Sequence, residues 1–195
     1  MLPKVSQQDI GTRALDWGRL PKRFMNPGEL DVLVALCRTV DRPSVIVEFG
    51  VNIGRTACAL LETLGGIEHY VGIDVPPGYV TEKAVQRNEV PDAPGHMAAH
   101  FPAFQLLLRA NGSHDLVEQD LPAFDIAFID GDHSRRGVEQ DTALAEARVR
   151  PGGLIIWHDY HDLGTVDVRE VLNERRAAGR KVLHVQGTWI AFERF

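Results

Sequence analysis

The chain has 195 residues, a net charge of −6 at pH 7 and only two cysteines. That length suits one domain with a sizeable core. The acid excess and the lack of a basic, aromatic-interleaved stripe count against a nucleic-acid partner. Arg135-Arg136 and Arg175-Arg176 read as solvated helix faces. Cys37 and Cys58 sit in apolar helical runs, so buried thiols are expected rather than a disulfide. No stretch approaches a membrane span and no leader-like apolar segment opens the chain, so the expected compartment is the cytoplasm.

Residues 1–27 are polar and mixed, with Trp17 and Phe24 as anchors, and read as an arm or a flap over a pocket; residues 28–195 read as the main domain. Pro27-Gly28-Glu29 opens a helix with Leu30, Leu33, Val34 and Cys37 on one face. Arg42-Pro43-Ser44 breaks it, and Val45 to Phe49 is an apolar strand. Thr56 to Leu64 reads as a helix closed by Gly65-Gly66. His69 to Asp74 is the second strand. A polar connection rich in proline and glycine follows, from Val75 to Pro102, with a helix expected over 81–87.

Phe104 to Arg109 is a third strand, and Phe124 to Asp130 a fourth, apolar enough to be central and covered on both faces. Arg135 to Val149 is a helix ended by Arg150-Pro151-Gly152-Gly153. Leu154 to Trp157 is a fifth strand, and Val166 to Ala178 the next helix. Lys181 to Val185 and Thr188 to Phe192 read as a hairpin around Gln186-Gly187. Strand and helix alternate from residue 45 to residue 178, which predicts a doubly wound α/β sandwich. Right-handed crossovers then bring the parallel strand ends to one edge, where ligands bind. Glu48, Asp74, Asp130 and Asp159 all fall at or just past such ends.

The turn after the first central strand carries Gly50 and Gly54, which permit a close backbone approach. Asn52 stands where a dinucleotide fingerprint has its second glycine, the residue that lets the backbone meet a pyrophosphate. A nucleoside-like ligand without phosphates suits this turn better than NAD. Asp74, twenty residues beyond Gly54, has the spacing of a carboxylate that takes a ribose hydroxyl.

On these residues the chain resembles the class I S-adenosylmethionine-dependent methyltransferases. The match to their first motif is Glu48-Phe49-Gly50-Val51-Asn52-Ile53-Gly54-Arg55-Thr56. The resemblance implies a Rossmann-like seven-stranded sheet with an antiparallel last strand. It implies that Glu48, Gly50, Asn52, Gly54 and Thr56 surround the cofactor, that Asp74 holds its ribose, and that Ser113 or His114 lies beside its adenine. Asp130 is a further candidate for the cofactor's amino group.

Ile129-Asp130-Gly131-Asp132-His133-Ser134 and Trp157-His158-Asp159-Tyr160-His161 are dense polar clusters at adjacent strand ends. Asp130, His158 and Asp159 together make a mixed oxygen and nitrogen site for a divalent cation. Carboxylates suit Mg²⁺ and Mn²⁺, and an imidazole shifts the choice toward Mn²⁺, Fe²⁺ or Zn²⁺. The two loops resemble those of metal-dependent sugar O-methyltransferases and of cephalosporin-hydroxylase-like proteins. In the sugar enzymes Asp130 matches the first metal ligand and Asp132 the general base, whereas His158 departs from an acidic pair. His133 is the second candidate base, with a titration range matched to neutral pH.

The expected activity is methyl transfer from S-adenosylmethionine to an oxygen of a small hydroxylated acceptor. The competing reading is a catalytically degenerate binding domain of the same fold. A homodimer is expected. Trp157 and Trp189 fit apolar strand positions and read as core. His69, His96, His100 and His184 lie outside the clusters and read as structural or surface residues.

Overall fold

In chain order, the computed structural model of the protein describes residues 1–20, 25–76 and 101–195. The elements are β1 (Lys4–Val5), α1 (Pro27–Cys37), β2 (Val45–Phe49), α2 (Arg55–Thr63), β3 (His69–Asp74), β4 (Phe104–Leu108), β5 (Phe124–Ile129), α3 (Arg135–Arg148), β6 (Val149–Trp157), α4 (Val168–Ala177), β7 (Leu183–Val185) and β8 (Ala191–Arg194). The helix expected over 81–87 and the anchor Phe24 lie outside the described residues.

The strands form one sheet in the order β1-β7-β8-β6-β5-β2-β3-β4. β6, β5, β2, β3 and β4 run parallel, while β8 is antiparallel to both β6 and β7. Strand order reverses between β2 and β5, the position at which doubly wound sheets open a crevice. Among the described residues the sheet has eight strands rather than the seven expected. The extra one is β1, which joins the edge parallel to β7, with Lys4 opposite His184. Two residues carry too little periodicity to show as a strand in the sequence.

Alternation along the strands sorts the core into two layers. Ile46, Tyr70, Ile126, Phe128 and Ile156 pack with α1 and α2. Val47, Phe49, Ile73, Ala127, Ile129 and Trp157 pack with α3 and α4. Both faces of β2 and β5 are therefore dry, as continuous apolar runs require. α1 is buried on more than the one face read from the sequence, because Val32, Ala35 and Leu36 are also covered. Trp17, Leu20 and Met25 belong to the same cluster. The Trp17 indole N–H and the Leu15 amide both donate to Asp31 Oδ1, at 2.8 and 3.0 Å, and hold this segment against α1.

The final hairpin differs from its expected register. β8 starts at Ala191 rather than Thr188. Thr188 Oγ1 donates to Val185 O and accepts from the Ile190 amide, so a side chain replaces ladder bonds at that point. The loop is thereby widened, and Trp189 is taken out of the sheet.

Candidate active site

The carboxyl ends of β2, β3, β5 and β6 surround a cavity of about 610 Å³. Its first wall is the turn between β2 and α2. Gly50 has φ +87°, and a Cβ there would lie 2.2 Å from the carbonyl oxygen of Asp130, so only glycine fits. Asn52 and Gly54 are also left-handed, at φ 50° and 77°. Asp74 ties this turn to β3. Its Oδ2 accepts the amides of Val51 and Asn52 at 2.8 and 2.7 Å, and its Oδ1 accepts that of Val75 at 2.7 Å.

Gly50, Asn52, Gly54's neighbours Ile53 and Arg55, Thr56, Asp74, Ser113, His114 and Asp130 share the cavity wall. Glu48 does not. It is 1% exposed, inside the core beneath the turn, where its Oε2 accepts the Tyr70 hydroxyl at 2.9 Å. Burial pushes its carboxyl well above the usual range, more than Tyr70 lowers it. The acid at the end of this strand thus supports the turn from beneath, outside the cavity wall where direct cofactor contact was expected.

The second wall is the pair of loops after β5 and β6, which meet as expected. His133 Nε2 lies 2.8 Å from Asp159 Oδ2 and 3.4 Å from Asp130 Oδ1. His158 Nδ1 lies 3.3 Å from Asp130 Oδ1 and 3.4 Å from Asp159 Oδ2. Two acids therefore face two imidazoles. Burial acts to lower both histidines, but the two carboxylates outweigh it, so His133 is pushed up to about 10 and His158 well above its ordinary value. Burial likewise opposes ionisation of Asp130 and Asp159, and the imidazoliums still hold both below the usual carboxylate range. Asp159 has φ 58°, a left-handed conformation that stores strain at the centre of the cluster.

Asp130, His133 and Asp159 offer ligand atoms that all lie within 4.8 Å of one another, a spread that one divalent cation can draw together. The imidazole in this group is His133, where His158 was expected. His158 is turned deeper, 8% exposed, with Nε2 only 3.3 Å from Glu29 Oε2 but off the angle of a hydrogen bond.

Asp132 is held by Ser134, whose amide and hydroxyl each donate to it at 3.0 Å, and it lies 3.8 Å from His114 Nε2. Helix α3 starts at once after this loop, with Ser134 as its cap. Asp167, ahead of α4, secures the loop from outside. Its amide donates to His133 O, and its carboxylate accepts the Arg135 amide.

Three cavity residues were missed in the sequence. Glu29 reaches in from α1, accepting the Trp189 amide at 2.9 Å and the Asn26 side-chain amide at 2.6 Å. Its position three after a helix cap gave it a complete structural explanation, which hid it. Asp141 is buried in α3 and is pushed up to about 7 chiefly by burial. Its spacing from Val138, Thr142 and Ala145 on the buried helix face was the available signal. Trp189, read as core, is 41% exposed at the cavity, whereas Trp157 is fully buried, with its indole N–H bonded to Thr142. Of the outlying histidines, His69 is exposed at the start of β3, and His184 Nε2 lies 2.7 Å from Thr188 O. His96 and His100 lie outside the described residues.

A parallel sheet with a hairpin edge, a glycine turn and a ribose-spaced acid defines the class I S-adenosylmethionine-dependent methyltransferases. The model of a family described as "methyltransferase domain" matches residues 47–160, more than half of the chain, and the chain belongs to that family. Solved structures agree in fold at low identity. The calicheamicin methyltransferase CalS11 is 16% identical with a TM-score of 0.66, over 86% of this chain and 78% of that one. The O-methyltransferase TomG of Streptomyces achromogenes, involved in tomaymycin synthesis and solved with S-adenosylmethionine, is 17% identical with a TM-score of 0.59, over 95% and 86%. A Bacillus cereus O-methyltransferase, solved with S-adenosylhomocysteine, is 18% identical with a TM-score of 0.60, over 91% and 86%. No curated relative matches at a significant level. Among the described residues, no helix is long and apolar enough to cross a membrane.

Proposed function

We propose that the protein moves the methyl group of S-adenosylmethionine to an oxygen of a small hydroxylated acceptor. The observation that carries this reading is the shared cavity. The glycine turn and Asp74 stand on one side of it, and the Asp130, His133, His158 and Asp159 cluster on the other. The names of the structural neighbours, several of them O-methyltransferases, support oxygen as the acceptor atom.

The reaction is an in-line displacement. The acceptor oxygen forms a bond to the methyl carbon, the carbon–sulfur bond breaks, and its electron pair leaves on sulfur as a neutral thioether. The protein must align the two reactants and take the hydroxyl proton. Alignment is the larger contribution, on an effective-molarity scale of roughly 7–11 kcal/mol. His133 already holds a proton between two carboxylates, so Asp132 is the residue of this loop placed to accept one. A divalent cation would fit Asp130, His133 and Asp159 by displacing that His133 proton, and when bound it would acidify a hydroxyl next to it.

Calorimetric titration with S-adenosylmethionine, S-adenosylhomocysteine and NAD tests the cofactor. Binding of the first two without NAD is expected, and NAD binding alone would overturn the reading. Methyl transfer after chelation, then after adding back Mg²⁺, Mn²⁺, Fe²⁺ or Zn²⁺, tests the metal. Full activity in a verified metal-free preparation would leave the four side chains to act alone.

A further inference from the structure

The first strand reaches the cavity through a residue that does not line it. Tyr160 is buried and follows Asp159 in the loop after β6. Its hydroxyl accepts the Leu2 amide at 3.0 Å and donates to Asn173 Oδ1 of α4 at 2.9 Å. Its ring stands against His184 of β7, with centroids 4.8 Å apart at 51°. The His184 amide donates in turn to Pro3 O, and its Nε2 lies 2.7 Å from Thr188 O. β1 has only two residues, too few for a ladder to hold it, and the buried Leu2 shares a core cluster with Tyr160.

The main chain of Tyr160 serves the cavity. Its amide donates to Trp189 O at 2.9 Å. Across it, the His161 amide donates to Asp159 O at 2.8 Å, closing a three-residue turn with Tyr160 at the apex. Asp159 enters that turn at φ 58° and carries its Oδ2 to 2.8 Å from His133 Nε2. A left-handed aspartate persists only where its surroundings over-determine it. Those surroundings converge on Tyr160, whose hydroxyl is bound to β1 and α4, whose ring rests on β7 and whose amide holds the Trp189 loop. Packing needs only an apolar ring of this size. A buried hydroxyl paired as donor and as acceptor fixes direction as well as volume.

We propose that Tyr160 is a positioning residue: anchored by its hydroxyl to the first strand and to α4, it sets the Asp159 turn and the Trp189 loop, and with them the side of the cavity opposite Asp74. This inference rests on the methyltransferase reading and adds to it a residue that touches neither reactant.

The test uses the full chain labelled with heavy nitrogen, at neutral pH. NMR reads the imidazole resonances of His133 and the indole N–H of Trp189, assigned with His133→Gln and Trp189→Phe. Tyr160→Phe keeps the ring and removes the hydroxyl, Asn173→Ala removes the group it donates to, and Leu2→Pro removes the amide it accepts. All three should shift the His133 and Trp189 resonances in the same direction. Tyr160→Phe combined with Asn173→Ala should shift them no further than Tyr160→Phe alone, because both remove one bond. S-adenosylhomocysteine affinity, measured by calorimetry, should stay within about twofold of the parent. Asp125→Asn, which weakens contacts at the opposite end of the strands, should lower the thermal midpoint and leave both resonances in place. Resonances unmoved in Tyr160→Phe and Asn173→Ala would overturn the inference, as would additive shifts in the double variant. Equal shifts in Asp125→Asn would overturn it too, by showing a general loosening. Failure of S-adenosylhomocysteine to bind the parent protein would instead sink the methyltransferase reading beneath it.

Discussion

At the scale of single residues, the four strand-end acids occupy three different electrostatic settings. Glu48 is pushed up by burial in the core, Asp74 accepts three amides, and Asp130 and Asp159 are held down by imidazoles. Glu48→Gln should therefore leave cofactor affinity within about twofold, because an amide can still accept the Tyr70 hydroxyl, while Tyr70→Phe should cost roughly 1–3 kcal/mol in a denaturant melt. Asp74→Asn should do two things at once. It turns an NH₂ group toward backbone N–H donors, so the turn should lose on the order of 1–3 kcal/mol and the S-adenosylmethionine Kd should rise at least about tenfold. Asp141 supplies the pH test. Burial raises it from 3.8 to about 7, so the folded chain holds a proton that the unfolded chain has released. Stability should fall as pH climbs between those values and level off above them. The denaturation midpoint of Asp141→Asn relative to the parent should thus rise from pH 5 to pH 8, and a constant difference would contradict the assignment.

At the scale of elements, the segments with strong periodicity were legible and those held by side chains were not. β2, β3, β5, α3 and α4 lie within about two residues of their expected bounds, the usual reach of pattern reading. The edge was less legible. β1 is too short to show a pattern, and β8 slips because the Thr188 hydroxyl captures bonds that a tighter hairpin would use. The meeting of the Asp130 and Asp159 loops followed from topology alone, since parallel strands deliver their ends to one edge. That His133 would join His158 against these acids and complete the cation-sized group did not, because His158 lies deeper, beside Glu29 of a different element. The same dependence gives a prediction for α1. Asp31→Ala removes the acceptor shared by Trp17 and Leu15 and leaves a buried indole N–H unpaired. It should lower stability by about 1–3 kcal/mol and increase amide exchange in residues 15–20.

At the scale of the whole molecule, the cavity joins two halves with different origins. Residues 50–53, 55, 56, 74 and 111–114, from the ends of β2, β3 and β4, make the side proposed for the nucleoside. The acceptor side takes Glu29 from α1, the Asp130 loop from the centre of the sheet and Trp189 from the final hairpin. Backbone contact between Gly50 and Asp130 locks the halves together. Gly50→Ala should therefore damage both, abolishing S-adenosylmethionine binding in calorimetry and lowering the thermal midpoint of the apoprotein. Loss of one without the other would show that the halves are independent.

The hydrogen bond from the Trp189 amide to Glu29 spans 160 residues of sequence. Contacts of such separation close late, after local units have formed and the entropy of the intervening loop has been met. On refolding from denaturant, the nucleoside side can be organised before the first and last parts of the chain have found each other. Recovery should then be staggered in time, with affinity for S-adenosylhomocysteine returning in an earlier phase than methyl-transfer turnover. Disruption of the late contact, as in Glu29→Ala, should widen that interval.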